Sequence, residues 1–203
     1  CVQLKQLVLA QSINQIGEYA FSNCSSLTTF TFPDEMTEIK EAVLEDCSSL
    51  NQIILPSVVV SIGDSAFAGC KALAAVILPE SIQSIGKYAF DDACIQFFVK
   101  IPGSCKVISE GAFRDAVSTF ARDRVSIQLS DGIEKIESQA FQNSAIKQPV
   151  YLPESLEDIA TDAFDSDCQF IVEKGSYAYR WANENAYNCT VNGEEQNLDW
   201  LNN

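Results

Sequence analysis

A short internal repeat constrains the fold of this chain more than any other feature of its sequence. The motif Ile-Gly-x-x-Ala-Phe at Ile62–Phe67 returns at Ile85–Phe90. Its isoleucine recurs at equal intervals, except for an insertion before Ile136, at Ile16, Ile39, Ile62, Ile85, Ile108, Ile136 and Ile159. A large apolar residue follows each isoleucine in step, at Phe21, Leu44, Phe67, Phe90, Phe113, Phe141 and Phe164. Such a period predicts a solenoid, in which each turn buries its apolar residues only against its neighbours.

Each unit also contains a short strand. The alternation Val76-x-Leu78 has the period of a strand with one buried face, and Pro79 ends it because proline cannot donate to a ladder. The same alternation recurs as Leu7-x-Leu9, Phe30-x-Phe32, Ile53-x-Leu55, Val99-x-Ile101, Ile127-x-Leu129 and Val150-x-Leu152. We expect these strands to stack in parallel as a concave sheet. Gly63 and Gly86 are expected to allow a tight bend before the Ala-Phe segment, which closes the opposite wall.

The full unit reads Ser-Ile-Gly-x-x-Ala-Phe-x-x-Cys-x-x-Leu and leads to Leu-Pro. This form resembles the BspA-like leucine-rich repeats of bacterial surface and secreted proteins, and the likeness covers positions 1–175. The resemblance implies a leucine-rich-repeat solenoid: a right-handed coil of about seven 23-residue turns with a short-stranded parallel concave sheet. It also implies a C-terminal capping helix, because a Gly-Ser-Tyr-Ala segment follows the last turn in many such arrays.

We therefore divide the chain into a repeat array, 1–175, and a cap helix with its tail, 176–203. Cys1 lies one full repeat before Cys24, so the array starts mid-repeat, and we expect the natural polypeptide to extend further toward its N-terminus. In the cap, Ser176 is the expected N-cap, and Tyr177, Ala178 and Trp181 are expected to face inward. The tail from Cys189 onward is polar apart from Leu198, Trp200 and Leu201, and we expect it to be partly ordered at most.

Composition argues against several functions. The formal charge of −15 would repel the phosphates of nucleic acids and anionic lipid surfaces. The sequence has no histidine, so it lacks the usual general base and the commonest transition-metal ligand. No apolar run is long enough to span a bilayer. We predict no catalytic residues, no cofactor and no metal.

Eight cysteines raise the question of disulfides or zinc. Cys1, Cys24, Cys47 and Cys70 share one repeat position, and their parallel side chains predict a buried column of reduced thiols. The sequence contains no Cys-x-x-Cys pair, so we reject a structural zinc site. A bridge between Cys168 and Cys189 is left open.

Acidic residues offer no clear site either. Asp162, Asp165 and Asp167 faintly suggest calcium but lack the glycine and the distal glutamate of a calcium loop, so a solvated acidic rim is favoured.

Departures from the repeat are the best places to look for function. The fourth unit has Ala93 and Gln96 in place of the cysteine and the leucine, with Phe97-Phe98 at its strand. The fifth unit has Ala116 and Thr119 at those positions, with Arg122-Asp123-Arg124 inserted nearby. Such insertions can shape a binding surface on one rim, but simple sequence drift is the favoured interpretation.

Strand alternation sorts the outward residues into two columns. The first column contains Thr29, Gln52, Ala75, Phe98, Ser126 and Pro149. The second contains Thr31, Ile54, Ile77, Lys100, Gln128 and Tyr151. Apolar residues in these columns would form a contact patch, so the candidate ligand-binding residues are Ile54, Ile77, Phe98, Lys100, Gln128 and Tyr151.

The sequence thus favours a non-catalytic protein–protein interaction or adhesion module that binds through its concave sheet. The family resemblance implies a secreted or cell-surface bacterial protein whose partner is a host or bacterial surface protein. Two alternatives stay open. One is a structural spacer domain, and the other is a carbohydrate-binding or carbohydrate-degrading role through acids near Tyr151 and Phe98.

Overall fold

The computed structural model describes residues 1–117, 125–144 and 146–193 as a solenoid of short parallel strands with one C-terminal helix. In these residues, fourteen strands, β1–β14, build two walls of the coil. The wall that was predicted to be concave, called the concave wall below, contains β1 (Thr29–Thr31), β3 (Gln52–Ile54), β5 (Val76–Ile77), β7 (Phe98–Ile101), β9 (Ser126–Leu129), β11 (Val150–Tyr151), β13 (Gln169–Val172) and β14 (Asn188–Val191). The repeat therefore folds as a leucine-rich-repeat solenoid, as predicted.

A second wall follows each of the first six strands of the concave wall after a proline-containing or serine-containing turn. It is a continuous six-stranded parallel sheet. Its two-residue strands are β2 (Glu38–Ile39), β4 (Ser61–Ile62), β6 (Ser84–Ile85), β8 (Val107–Ile108), β10 (Lys135–Ile136) and β12 (Asp158–Ile159). Each contributes one repeat isoleucine, from Ile39 to Ile159, to the core.

The third wall carries the Ala-Phe segment and is held by chains of backbone hydrogen bonds. One chain runs from the Phe21 amide to the Val43 carbonyl, from Leu44 to Ala66 and from Phe67 to Ala89. Two more chains flank it, one starting at Tyr19 and the other at Asn23. In each, a turn donates and the following turn accepts. The flanking donors have positive φ in most turns, for example 58° at Tyr19 and 60° at Asn23.

Gly63 and Gly86 do not have the bend role expected from the sequence. Neither glycine has positive φ, and the left-handed residues follow them at Ser65 and Tyr88. A Cβ on Gly63 would lie 2.6 Å from the Glu41 nitrogen, and one on Gly86 would lie 2.5 Å from the Asp64 nitrogen. These glycines are therefore required because the backbones of successive turns approach closely.

Aromatic rings form the axis of the core. Phe67, Phe90, Phe113, Phe141 and Phe164 stack in sequence, with centroids 5.0–5.4 Å apart and interplanar angles of 4–16°. Leu44 occupies the same position one turn before Phe67 and is fully buried. The period of large apolar residues in the sequence thus becomes a continuous aromatic column.

The first turn departs from the prediction. Leu7-x-Leu9 forms no strand in the described part of the chain, and both leucines are only partly buried. At the other end, β13 and β14 extend the concave wall beyond the strands that were predicted.

The helix α1 (Tyr177–Glu184) covers the last turn, as expected. The Ser176 hydroxyl accepts a hydrogen bond of 3.0 Å from the Tyr179 amide and so caps the helix. Ala178, Trp181 and Ala182 are buried, and Tyr177 is half-buried against the core. The residues Thr119, Arg122–Arg124, Leu198, Trp200 and Leu201, which the sequence singled out, lie outside the described residues.

Candidate binding face and its cleft

The concave wall displays the two columns that the strand alternation predicted. In the register, Ile77 lies opposite Lys100, and Lys100 lies opposite Gln128. In the other column, Thr29 lies opposite Gln52 and Phe98 opposite Ser126. The residues between these columns, such as Val76 and Val99, are buried in the core.

Exposure differs strongly among the candidate residues. Ile54 and Ile77 are 51% and 65% exposed. Gln128 is also exposed, whereas Phe98, Lys100 and Tyr151 are half-buried. Most of the accessible apolar area among the candidates therefore comes from the two isoleucines, because the aromatic side chains lie partly against neighbouring residues.

The polar candidates are held by partners in adjacent turns. Lys100 Nζ lies 2.7 Å from Glu80 Oε1 in a solvent-exposed ion pair. The Tyr151 hydroxyl donates a hydrogen bond of 3.4 Å to Glu173 Oε1. Burial, together with the charges of Asp131 and Glu173, raises the pKa of Tyr151 above its usual value. Tyr151 is thus a neutral side chain beside an acidic rim.

Two breaks interrupt the ladder of the concave wall, one between β3 and β5 and one between β9 and β11. Hydrogen bonding divides the wall into three sheets, β1-β3, β5-β7-β9 and β11-β13-β14. Between β3 and β5 lies an open cleft of about 550 Å³, lined by Gln52, Ile53, Ala74, Ala75, Ile77 and Gln96 among others. Ile54 and Ile77, one on each strand, stand on either side of this break.

Two residues at core positions of this turn are more exposed than their equivalents, and one of them, Ile53, lines the cleft. Ile53 and Leu55 are only partly buried. Their equivalents in the preceding turn, Phe30 and Phe32, are fully buried. Strand β3 therefore presents part of its inward side to solvent where β5 does not pair with it.

Phe97 is an exposed aromatic residue that the sequence analysis left out of the candidate set. Strand alternation places it on the inward side with Val99, but β7 begins only at Phe98, and Phe97 is 57% exposed. Its amide donates a hydrogen bond of 3.1 Å to the Ala74 carbonyl, so it lies beside the cleft-lining residues. The Phe97-Phe98 pair was the sequence signal that could have identified it.

The cysteine column is buried as predicted, except at its first member. Cys47 Sγ donates to the Phe21 carbonyl at 3.2 Å, and Cys70 Sγ donates to the Leu44 carbonyl at 3.3 Å. Cys24 is also buried, whereas Cys1 is exposed. Burial raises the pKa of Cys47 to about 11 and that of Cys70 well above its usual range. Protonated thiols therefore act as small core residues with a donor.

The remaining candidate clusters separate into individual contacts. Cys168 and Cys189 are both free thiols. Asp162 accepts a hydrogen bond from Ser138, Asp165 accepts one from the Asn143 amide, and Asp167 pairs with Lys147. In the described ranges, no three Asp, Glu, Cys or His side chains are grouped closely enough to hold a metal ion.

None of the described residues belongs to a helix that is long and apolar enough to cross a membrane.

Two solved structures share this architecture. A leucine-rich repeat protein from T. pallidum superimposes with a TM-score of 0.62 at 22% identity, covering 88% of this chain and 79% of that one. The pneumococcal vaccine antigen PcpA superimposes with a TM-score of 0.52 at 16% identity, covering 87% of this chain and 38% of that one. At these identities the likeness establishes the fold alone.

Sequence comparison identifies the family. No curated protein matches the chain. The model of the "BspA type Leucine rich repeat region" matches six copies, over residues 1–119 and 118–192. These matches cover nearly the whole sequence, and the repeat positions that they contain are the buried isoleucines and phenylalanines of the solenoid. The chain therefore belongs to the BspA-type leucine-rich repeat family.

Proposed function

We propose that this chain is a non-catalytic protein-interaction or adhesion module of a secreted or cell-surface bacterial protein, and that it binds a protein partner through the concave wall. The observation that carries this proposal is the pair Ile54 and Ile77, which are 51% and 65% exposed on neighbouring turns of the same wall. Exposed apolar area of this kind favours contact with another protein. Solenoids commonly bind partners through such extended concave surfaces.

Charge narrows the kind of partner. The formal charge of −15 favours encounter with a basic protein surface and opposes nucleic acids and anionic lipids. On the wall itself, Lys100 is already paired with Glu80, so it offers little unpaired positive charge. We expect apolar contact at the two isoleucines, with the surrounding acids selecting a basic rim on the partner.

The name of PcpA, a vaccine antigen, supports a location at the bacterial surface. This chain spans only 38% of that protein. For this chain, display at the cell surface and adhesion are part of the proposal.

The test compares ligand binding by the wild-type protein with binding by a double variant that carries Ile54→Ser and Ile77→Ser. The protein is screened against immobilised extracellular matrix proteins and against a glycan array. We expect the wild-type protein to bind a protein ligand and the double variant to lose that binding. The melting temperature of the double variant should be unchanged, because both side chains are already exposed. The matched control is Val58→Ser, since Val58 is 40% exposed and lies outside the strands of the concave wall.

The two alternative functions give different results in this screen. Binding to sugars alone would favour the carbohydrate role near Tyr151 and Phe98. Absence of any ligand in both screens would favour a structural spacer. Retention of protein binding by the double variant would overturn the assignment of the concave wall.

A further inference from the structure

The break between β3 and β5 interrupts a ladder that the repeat would otherwise continue. Phe30 pairs with Ile53 across β1 and β3, and Val76 pairs with Val99 across β5 and β7. The constant spacing of the repeat therefore predicts that Ile53 pairs with Val76. Among the residues that the structure describes, these two make no ladder pair.

The missing pair leaves backbone groups of both strands without their expected partners. The Phe32 amide donates to the Ile54 carbonyl at 3.3 Å, and the Leu152 amide donates to the Ile171 carbonyl at 3.0 Å. The equivalent bond would join the Leu55 amide to the Ile77 carbonyl, and it is absent from the described part of the chain. Backbone donors and acceptors beside apolar surface are normally paired, so this edge is a template for another strand.

Small side chains line much of the cleft. Ala72, Ala74 and Ala75 line it and leave space where larger residues could close over the core. At one end the Ala74 amide still donates to the Asn51 carbonyl at 3.2 Å. The strands are therefore joined where they enter the wall and unpaired further along, beside Ile54 and Ile77.

We propose that an extended segment of the protein partner enters this cleft and pairs with the free edges of β3 and β5. This inference rests on the proposed function and names the form in which the partner is bound. Backbone hydrogen bonds would supply affinity that does not depend on sequence, and small pockets beside the strands would select side chains. The partly exposed Ile53, which lines the cleft, would receive an apolar side chain of that segment.

The lining determines the chemistry of the segment. The polar groups on the cleft are the amides of Asn51, Gln52 and Gln96, and none of the lining residues is ionisable. A charged side chain would enter without an opposite charge, so the central part of the segment is uncharged. Its flanking residues are basic, because the protein as a whole carries a charge of −15.

The first experiment measures amide hydrogen exchange in the free protein by NMR. We expect the Leu55 amide to exchange much faster than the Phe32 amide, since only the latter has its ladder acceptor in the structure. Equal protection of the two amides would overturn the proposal, because it would mean that the ladder is closed.

The second experiment pans the protein with a phage-displayed library of random linear peptides. We expect binders with uncharged centres that slow exchange at Leu55 and Ile77. Ala75→Trp fills the cleft and should weaken these peptides about tenfold or more. The matched control is Ser126→Trp, which places the same side chain in the same column on the paired strand β9. A library without binders, or binders that tolerate Ala75→Trp, would overturn the proposal.

Unfolding of Ala75→Trp would not decide the question, so its melting temperature is measured alongside that of Ser126→Trp. If it unfolds, the exchange protection of wild-type Leu55 by bound peptide serves as the test, and its absence counts against the cleft. If a matrix protein binds Ala75→Trp but not the Ile54 and Ile77 double variant, that result would support the proposed function and overturn only the cleft proposal.

Discussion

The rings of Phe90 and Phe113 stack with their centroids 5.1 Å apart and their planes only 4° from parallel. Both side chains are fully buried, and each belongs to a neighbouring turn of the solenoid. A single phenylalanine therefore contributes to two interfaces, one with the turn before it and one with the turn after it.

Replacing Phe90 with alanine should lower the free energy of unfolding by about 3–5 kcal/mol, since it leaves a cavity in the aromatic column. Phe97→Ala serves as the control because that ring is 57% exposed, and it should change the value by about 0.5 kcal/mol or less. Urea denaturation followed by circular dichroism measures both. Similar values for the two variants would contradict the stacked column.

Gly86→Ala should destabilise the array by about 1–3 kcal/mol, as overpacking of a close contact does. The added Cβ would lie 2.5 Å from the Asp64 nitrogen and 2.5 Å from the Gly63 carbonyl carbon, and neither backbone can move without separating the turns. Gly17→Ala is the matched control, since nothing lies within 4 Å of its added Cβ. That variant should keep or slightly raise the melting temperature, because alanine restricts the unfolded chain. Equal losses would show that the close approach is not the cause.

In its turn of the solenoid, Ser144 occupies the repeat position that cysteines occupy in the cysteine column. Its hydroxyl donates to the Phe113 carbonyl at 2.6 Å, as the thiols of Cys47 and Cys70 donate to equivalent carbonyls. Ser144→Ala should cost about 1 kcal/mol of unfolding free energy because this buried carbonyl loses one of its two donors and keeps only the Ala116 amide at 3.3 Å. Ser144→Cys should retain most of the stability. Chemical denaturation compares the two, and a cysteine variant no better than alanine would refute the equivalence.

Buried thiols predict a loss of stability at alkaline pH. Burial raises the pKa of Cys105 to about 11 and that of Cys168 to about 12. A cysteine in the unfolded chain titrates near 8.5, so it releases its proton first, and the unfolded state gains stability as pH rises. The contribution of these thiols is complete below about pH 8.5 and declines from there toward pH 12.

Urea denaturation at a series of pH values, with reductant present, measures this decline. Cys168→Ala should flatten the profile between pH 8.5 and 12, whereas Cys1→Ser should leave it unchanged because Cys1 is exposed. A wild-type profile that is flat across this range would contradict the burial of protonated thiols.

The repeat predicted the parts of the fold that depend on every turn being alike. Three features follow from the constant spacing of the repeat. They are the buried isoleucines, the phenylalanine column, and the outward position that Ile77 and Lys100 share on neighbouring strands. The capping helix was predictable for another reason, since Ser176 and the spacing of Tyr177 and Trp181 are local signals.

Features that depend on contact between particular turns could not be predicted from the sequence pattern. The cleft lined by alanines at positions 72, 74 and 75 lies where β3 and β5 do not pair, although β5 has the same alternation as its neighbours. Leu7-x-Leu9 reads as a strand and forms none. In both cases the alternation indicates which residues face the core. A ladder also requires a neighbouring strand at hydrogen-bonding distance, which the alternation does not show.

The hydrogen-bond chains of the third wall give the solenoid an electrical polarity. Every link donates toward the C-terminus, from Tyr19 to Glu41, from Phe67 to Ala89 and onward, so the peptide dipoles add in the manner of an α-helix but with the opposite sense along the chain. The positive pole faces the last turn, where the Asn143 amide meets the carboxylate of Asp165 in place of a carbonyl. The carboxylate of Asp165 thus places a negative charge at the positive end of one of these hydrogen-bond chains.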